Sequence, residues 1–110
     1  MLFKNSGNNA NGNYIKYANG TMICYNNISL TLDITSPYEG EYFAGTGAIN
    51  YPVSFISVPT TIVTLNQNSS LLRFNTTSIY TNRFNGYISK LQSKSDVSVI
   101  IQYVAIGKWK

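Results

Sequence analysis

The closing stretch of the chain, Ser98-Val99-Ile100-Ile101-Gln102-Tyr103-Val104-Ala105-Ile106-Gly107-Lys108 and then Trp109, is apolar at both odd and even positions. A strand with two apolar faces reads as the central strand of a fold, covered on both sides. A strand that closes a sequence frays unless it is clamped within a sheet or against another chain. The expectation is a fold built around Val97–Ile106, with the surface around Trp109 as a candidate subunit contact.

The remainder is consistent with strands and nothing else. No segment carries apolar residues at i, i+3, i+4 and i+7, the mark of an amphipathic helix. Tyr14-Ile15-Lys16-Tyr17 and Met22-Ile23-Cys24-Tyr25 flank Asn19-Gly20, a hairpin signal that predicts a two-residue turn with two left-handed residues. Asn26–Asp33 alternates, with Ile28, Leu30, Leu32 and Ile34 on one face. Ser36–Gly47 holds Pro37, Gly40, Gly45 and Gly47, and reads as a long loop that could contain a short strand. Ile49–Phe55 alternates around Pro52, which suits an edge strand or a bulge. Thr60–Asn66 is β-branched and reads as a core strand. Leu71–Phe74 reads as a short strand, Asn75–Ser78 as a turn, and Ile79–Phe84 and Tyr87–Leu91 as strands around Asn85-Gly86. Gln92–Asp96 is a polar turn before the last strand. One domain of 110 residues with this punctuation predicts an all-β antiparallel sandwich or barrel. Asn5–Asn13, rich in Asn and Gly, reads as a flexible connector over residues 1–13, leaving 14–110 as the folded head. A connector leads somewhere, so the chain reads as the end piece of a longer protein or as a short subunit hung from one.

Composition excludes several function classes. The sequence contains no His, which removes the usual general base and metal ligand. The acids are Asp33, Glu39, Glu41 and Asp96, with no ligand spacing for calcium and no facing pair for glycoside hydrolysis. No catalytic residue, metal or cofactor is expected. The eight Lys and Arg residues give a net charge of +4 but form no run, so no nucleic-acid footprint is expected. No apolar stretch is long enough for a membrane-spanning helix. Cys24 stands alone and within an apolar run, as a buried structural thiol would. Charged residues are 11% of the chain, less than half the usual ~25%. Asn, Ser, Thr, Gln and Tyr supply the polarity instead, a surface suited to neutral polar ligands such as sugars or to packing against identical copies.

Three segments together resemble a known family. Gly12-Asn13-Tyr14-Ile15-Lys16-Tyr17-Ala18-Asn19-Gly20-Thr21-Met22-Ile23-Cys24 matches a G-x-Y-I-K-x-x-[DN]-G-T-[ML]-I-C opening. Tyr51-Pro52-Val53-Ser54-Phe55-Ile56-Ser57-Val58-Pro59 matches Y-P-x-x-F-x-x-x-P, and Ala105-Ile106-Gly107-Lys108-Trp109 matches A-I-G-[RK]-W. In this order and spacing they resemble the C-terminal receptor-binding domains of bacteriophage tail-fibre and tail-tip proteins, which are similar to the H-type lectin fold. The resemblance implies a six-stranded antiparallel sandwich, a homotrimer, and a fibre tip on a virion or phage-tail-like particle. It also implies a remainder of the fibre on the N-terminal side and a bacterial cell-surface glycan or wall polysaccharide as the partner. The His and Trp sugar contacts of H-type lectins have no counterpart in Gln92–Asp96, so no binding residue carries over by position.

Sugar recognition needs flat aromatic faces for ring C–H groups, and amides, hydroxyls or guanidinium groups for hydroxyls. Tyr38, Tyr42, Arg73, Tyr80, Asn82 and Arg83 supply those types outside the expected core and form the candidate ligand-binding set. The competing reading places the tyrosines in core or trimer packing and pairs the arginines with Glu39, Glu41 or Asp96. The competing function is a trimerisation cap with no ligand of its own.

Overall fold

A computed structural model describes residues 3–66 and 72–110. Among them nine strands run in the order β1 (Phe3–Asn9), β2 (Gly12–Tyr17), β3 (Thr21–Ile34), β4 (Ser36–Tyr38), β5 (Glu41–Asn50), β6 (Thr60–Asn66), β7 (Arg73–Ile79), β8 (Arg83–Lys90) and β9 (Lys94–Lys108). They form two antiparallel sheets, a five-stranded one in the order β1-β2-β3-β9-β6 and a four-stranded one in the order β4-β5-β8-β7. The expected all-β antiparallel sandwich is the fold found, with more strands than the six the resemblance implies.

Strand β9 is an inner strand of its sheet, between central β3 and edge strand β6. Its odd residues Val97, Val99, Ile101, Tyr103 and Ala105 are buried between the sheets. Its even residues correct the expectation of two-sided burial: Ile100, Val104 and Ile106 are 37–43% exposed on the outside of the sandwich. Alternation places side chains on both faces of a sheet, and one four-stranded sheet can cover only one of them.

Across the sandwich the core is aromatic. Phe84 of β8 meets Tyr103 edge-on at 5.2 Å, and Tyr51 lies within 6 Å of Phe55, Phe84 and Tyr103. The Tyr51 hydroxyl shares a 2.6 Å hydrogen bond with the Thr61 hydroxyl, so its polar end is satisfied inside. Cys24 is buried and free, as expected, its thiol directed at the Val53 carbonyl 3.9 Å away. Gly86 is needed because the Phe74 ring lies across it: an added Cβ would collide with that ring and sit 2.7 Å from the Asn75 carbonyl oxygen.

Several local expectations are corrected. The polar connector is strand β1 from Phe3 to Asn9, paired along its length with β2. Its pairing depends on backbone groups and needs no apolar side chain, and a polar strand is well suited to a sheet edge. The turn after it is pinned from inside, since Asn26 Nδ2 and the Tyr103 hydroxyl both donate to the Asn11 carbonyl at 3.3 Å. At Asn19-Gly20 only Gly20 is left-handed (φ 96°), so the hairpin loop is longer than two residues. Asn19 instead accepts the Thr21 amide through Oδ1 at 3.0 Å. The two-residue turn with both residues left-handed occurs at Glu39-Gly40 (φ 47° and 83°), making a β4–β5 hairpin of the expected long loop. Residues 75–78 are within β7, and Asn85-Gly86 is within β8. The irregularities fall on the strands either side of it, between Gly45 and Gly47 and between Thr76 and Ser78. Pro52 follows β5 in the irregular stretch that carries Tyr51 and Phe55 into the core. Leu71 lies outside the described residues.

Two outcomes follow from this core. Gly86→Ala should lower unfolding free energy by about 1–3 kcal/mol in a urea titration, the usual cost of overpacking. Burial pushes the Cys24 thiol from 9.0 up to about 11, and raises the Tyr103 and Tyr51 hydroxyls above their ordinary 10.0. In the unfolded chain these groups lose their protons first. Stability should therefore be flat below pH 9 and fall as pH rises through 11, read by melting temperature against pH.

Candidate functional site

The two ends of the sandwich differ. At one end β1 begins, β2 turns into β3 and β9 finishes. The Trp109 amide donates to the Gly20 carbonyl at 2.9 Å, and its indole Nε1 donates to the Tyr17 carbonyl at 2.8 Å. Ile56 N donates to Lys108 O at 3.0 Å, and Phe55 N to Thr81 O at 2.8 Å, so the β7–β8 turn belongs to this end. Lys16 and Lys110 lie over the Trp109 ring at 5.2 and 5.1 Å from its centroid, and Arg83 stacks on Tyr80 at 4.4 Å. At the other end are the β4–β5 hairpin, the turn before β9, and all four carboxylate side chains. Glu41 is bonded to Arg73, and Asp33 Oδ1 accepts the Asp96 amide at 2.9 Å.

The sequence-derived ligand set is therefore divided. Tyr80, Asn82 and Arg83 share the Trp109 end, where Arg83 Nη1 also reaches Asn82 Oδ1 at 3.4 Å. Tyr38, Tyr42 and Arg73 belong to the hairpin end. No single ligand of ordinary size meets all six. Tyr42 points inward and packs against the core. The Arg73 pairing with Glu41 is the one the alternative reading anticipated. Asn82 contributes its backbone as well, its carbonyl accepting the Tyr51 amide at 3.0 Å.

Two aromatics absent from that set join Tyr38 on the outside of the four-stranded sheet. Tyr38 meets Phe43 edge-on at 6.2 Å, and Phe43 meets Tyr87 edge-on at 5.8 Å, a row that crosses β4, β5 and β8. The register explains the row, because Phe43 opposes Ser89, two residues along the same face from Tyr87. Phe43 was hidden by reading 36–47 as a loop: only as a strand does its alternation from inward Tyr42 and Ala44 show. Arg73, opposite Ser89, and Asn75, opposite Tyr87, border the same face.

The outside of the five-stranded sheet has another character. Ile15, Ile23 and Ile106 stand side by side across β2, β3 and β9, and Tyr25, Val104 and Ile62 across β3, β9 and β6. The next rows are Asn27, Gln102 and Thr64, then Ser29, Ile100 and Asn66. None is charged. Ile62 and Val104 are 60% and 40% exposed. Among the described residues no three His, Cys, Asp or Glu side chains converge as a metal site would require.

No protein-family description matches this chain, and no curated protein does. Solved structures do. The C-terminal part (residues 323–701) of the Pseudomonas aeruginosa R1 pyocin fibre aligns over 94% of this chain and 27% of its own length, at 13% identity and a TM-score of 0.72. An N-truncated R1-type pyocin tail fibre aligns over 94% of this chain and 86% of its own, at 12% identity and a TM-score of 0.69. Discoidin II of Dictyostelium discoideum aligns over 87% and 42%, at 16% identity and a TM-score of 0.64. This chain spans about a quarter of the first of these. It has the sandwich fold that these proteins share.

Trp109 closes the end of the sandwich through its indole nitrogen and ring. Trp109→Phe should cost about 1 kcal/mol by removing the indole donor to the Tyr17 carbonyl, which then keeps only the Gly20 amide at 3.1 Å, whereas Arg73→Ala should cost less than about 1 kcal/mol because that ion pair is exposed. Paired urea titrations of the two variants check the ranking.

Proposed function

We propose that this chain is a non-enzymatic receptor-binding domain at the end of a phage tail fibre or phage-tail-like particle, working as a homotrimer that holds a bacterial surface saccharide. The observation that carries the reading is the contrast between the two outer faces. In a chain of net charge +4, the four outer rows of the five-stranded sheet from Ile15–Ile23–Ile106 to Ser29–Ile100–Asn66 contain no charge and expose aliphatic side chains, with Lys108 bordering them at the Trp109 end. Such a face is costly in water and unsafe beside identical copies unless a closed symmetric assembly covers it. Three copies that turn it toward a common axis leave the four-stranded sheets outward. Those carry aromatic rings, amides and one ion pair, groups that suit a sugar. The sandwich shared with two pyocin fibres supports the fibre setting. Strand β1 begins at the Trp109 end, so the remainder of a fibre reaches that end and the β4–β5 hairpin faces away from it.

The uncharged face also favours a second reading, a cap that sets trimerisation and binds nothing. Adsorption separates the two: labelled trimer should be retained by cells of a susceptible bacterium, and a trimer that no such strain retains is a cap. Val104→Glu tests the assembly itself. Sedimentation should show wild-type trimer and variant monomer with little change in the monomer's fold, because Val104 faces away from the core. A wild-type chain that stays monomeric at micromolar concentration overturns the trimer.

A further inference from the structure

Resting on that receptor-binding reading, we propose that the Tyr38–Phe43–Tyr87 row on the outside of the four-stranded sheet is the saccharide site, and that its ligand is a polysaccharide chain of uncharged sugars lying across β4, β5 and β8. The three rings are offset by 6.2 and 5.8 Å and meet at 77° and 71°. Each step is close to the length of one pyranose unit. Tyr38 is 63% exposed and stands at the open end of the row.

The flank of Tyr87 is kept clear. Gly45 lies directly opposite Tyr87 on β5. It has no left-handed φ, so no turn requires a glycine there; the nearby bulge is served by Gly47 at φ 74°. A Cβ placed on Gly45 would meet nothing within 4 Å. Glycine inside a strand costs stability for want of a side chain, and one with open space above it suits the close approach of a ligand. On the other flank Asn75 opposes Tyr87 and offers an amide.

The class of sugar follows from charge. Of the ionic groups that border the row, Arg73 and Glu41 are bonded to each other, and Glu39 follows Tyr38 in the hairpin turn with a negative charge that an acidic ligand would also meet. Arg73 opposes Ser89, which opposes Phe43, so the pair stands at the edge and presents both a donor fork and an acceptor without a net field. An acidic polysaccharide would have to break that pair. A neutral one can use both partners as they stand.

The test probes the whole chain, as the assembly it forms, against an array of neutral and acidic bacterial polysaccharides, followed by calorimetric titration with a retained one at low and high salt. Retention of a neutral polysaccharide with an affinity independent of salt is expected. Phe43→Ala and Tyr87→Ala should each weaken it by roughly tenfold or more, the effect of losing one stacked ring. Gly45→Gln should do the same with an unchanged melting temperature, since it fills open space, touches no core residue and blocks the row. Tyr80→Ala and Arg83→Ala should bind as the wild type does. Full binding by both Gly45→Gln and Tyr87→Ala would overturn the site while leaving the receptor-binding function in place. Retention of acidic polysaccharides alone, weakened by salt, would overturn the ligand class. Adsorption to cells with no polysaccharide retained would overturn the inference alone. A trimer retained by neither cells nor polysaccharide would remove the receptor-binding reading beneath it.

Discussion

The antiparallel pairing of β3 with β9 is the contact on which the rest of the sandwich depends. It runs from Thr21 opposite Lys108 to Ile34 opposite Lys94, with one irregularity near its end. Everything in the five-stranded sheet adds to this pair: β2 to one side, with β1 beyond it, and β6 to the other. Its inner face supplies more than half of the buried core, including Met22, Cys24, Ile34, Ile101 and Ala105, and gives Phe84 and Ile88 of β8 a surface to pack on. A slip of one residue would bring Val104 and Ile106 inside and expel Tyr103 and Ala105. The register is thus held by the core along the length of the sandwich.

The pairing also explains which parts of the fold could be read from the residues. Long alternating runs such as Asn26–Ile34 and Val97–Ile106 carry many positions that agree, so strand and inward face are both visible. The short, polar strands hid for the opposite reason. Asn5–Asn9 has no apolar residue to reveal a side, and its order comes from backbone pairing with β2 and from the Asn9 side-chain Nδ2, which donates to Pro52 O at 2.8 Å. The Ser36–Gly47 stretch has glycines at its turn and its bulge, which resemble loop punctuation. Seen as a hairpin, the same glycines mark where β5 must bend.

The candidate site was legible in kind more than in place. Tyr38 and Arg73 are where a ligand can meet them, but Tyr42 faces inward, and Tyr80, Asn82 and Arg83 belong to the opposite end of the sandwich. Residue type is a local property, whereas convergence is set by register across strands that are far apart in the chain. Glu41 and Arg73 are 32 residues apart and meet only because β5 and β7 flank β8. The difference in character between the two outer faces was likewise invisible until alternation could be combined with sheet order: the even residues of β9 were read as core, and they are the outer surface of the five-stranded sheet.

The position of β1 has a mechanical consequence. It lies at the edge of its sheet, runs along the length of a body 47 Å long, and starts beside the Trp109 latch. A pull applied at Phe3 along that axis, while the far half of the body is held fast, would slide β1 past β2 instead of peeling it away. All the rungs of that ladder would then share the tension at once, so a strand with almost no oily side chains can still act as a tether.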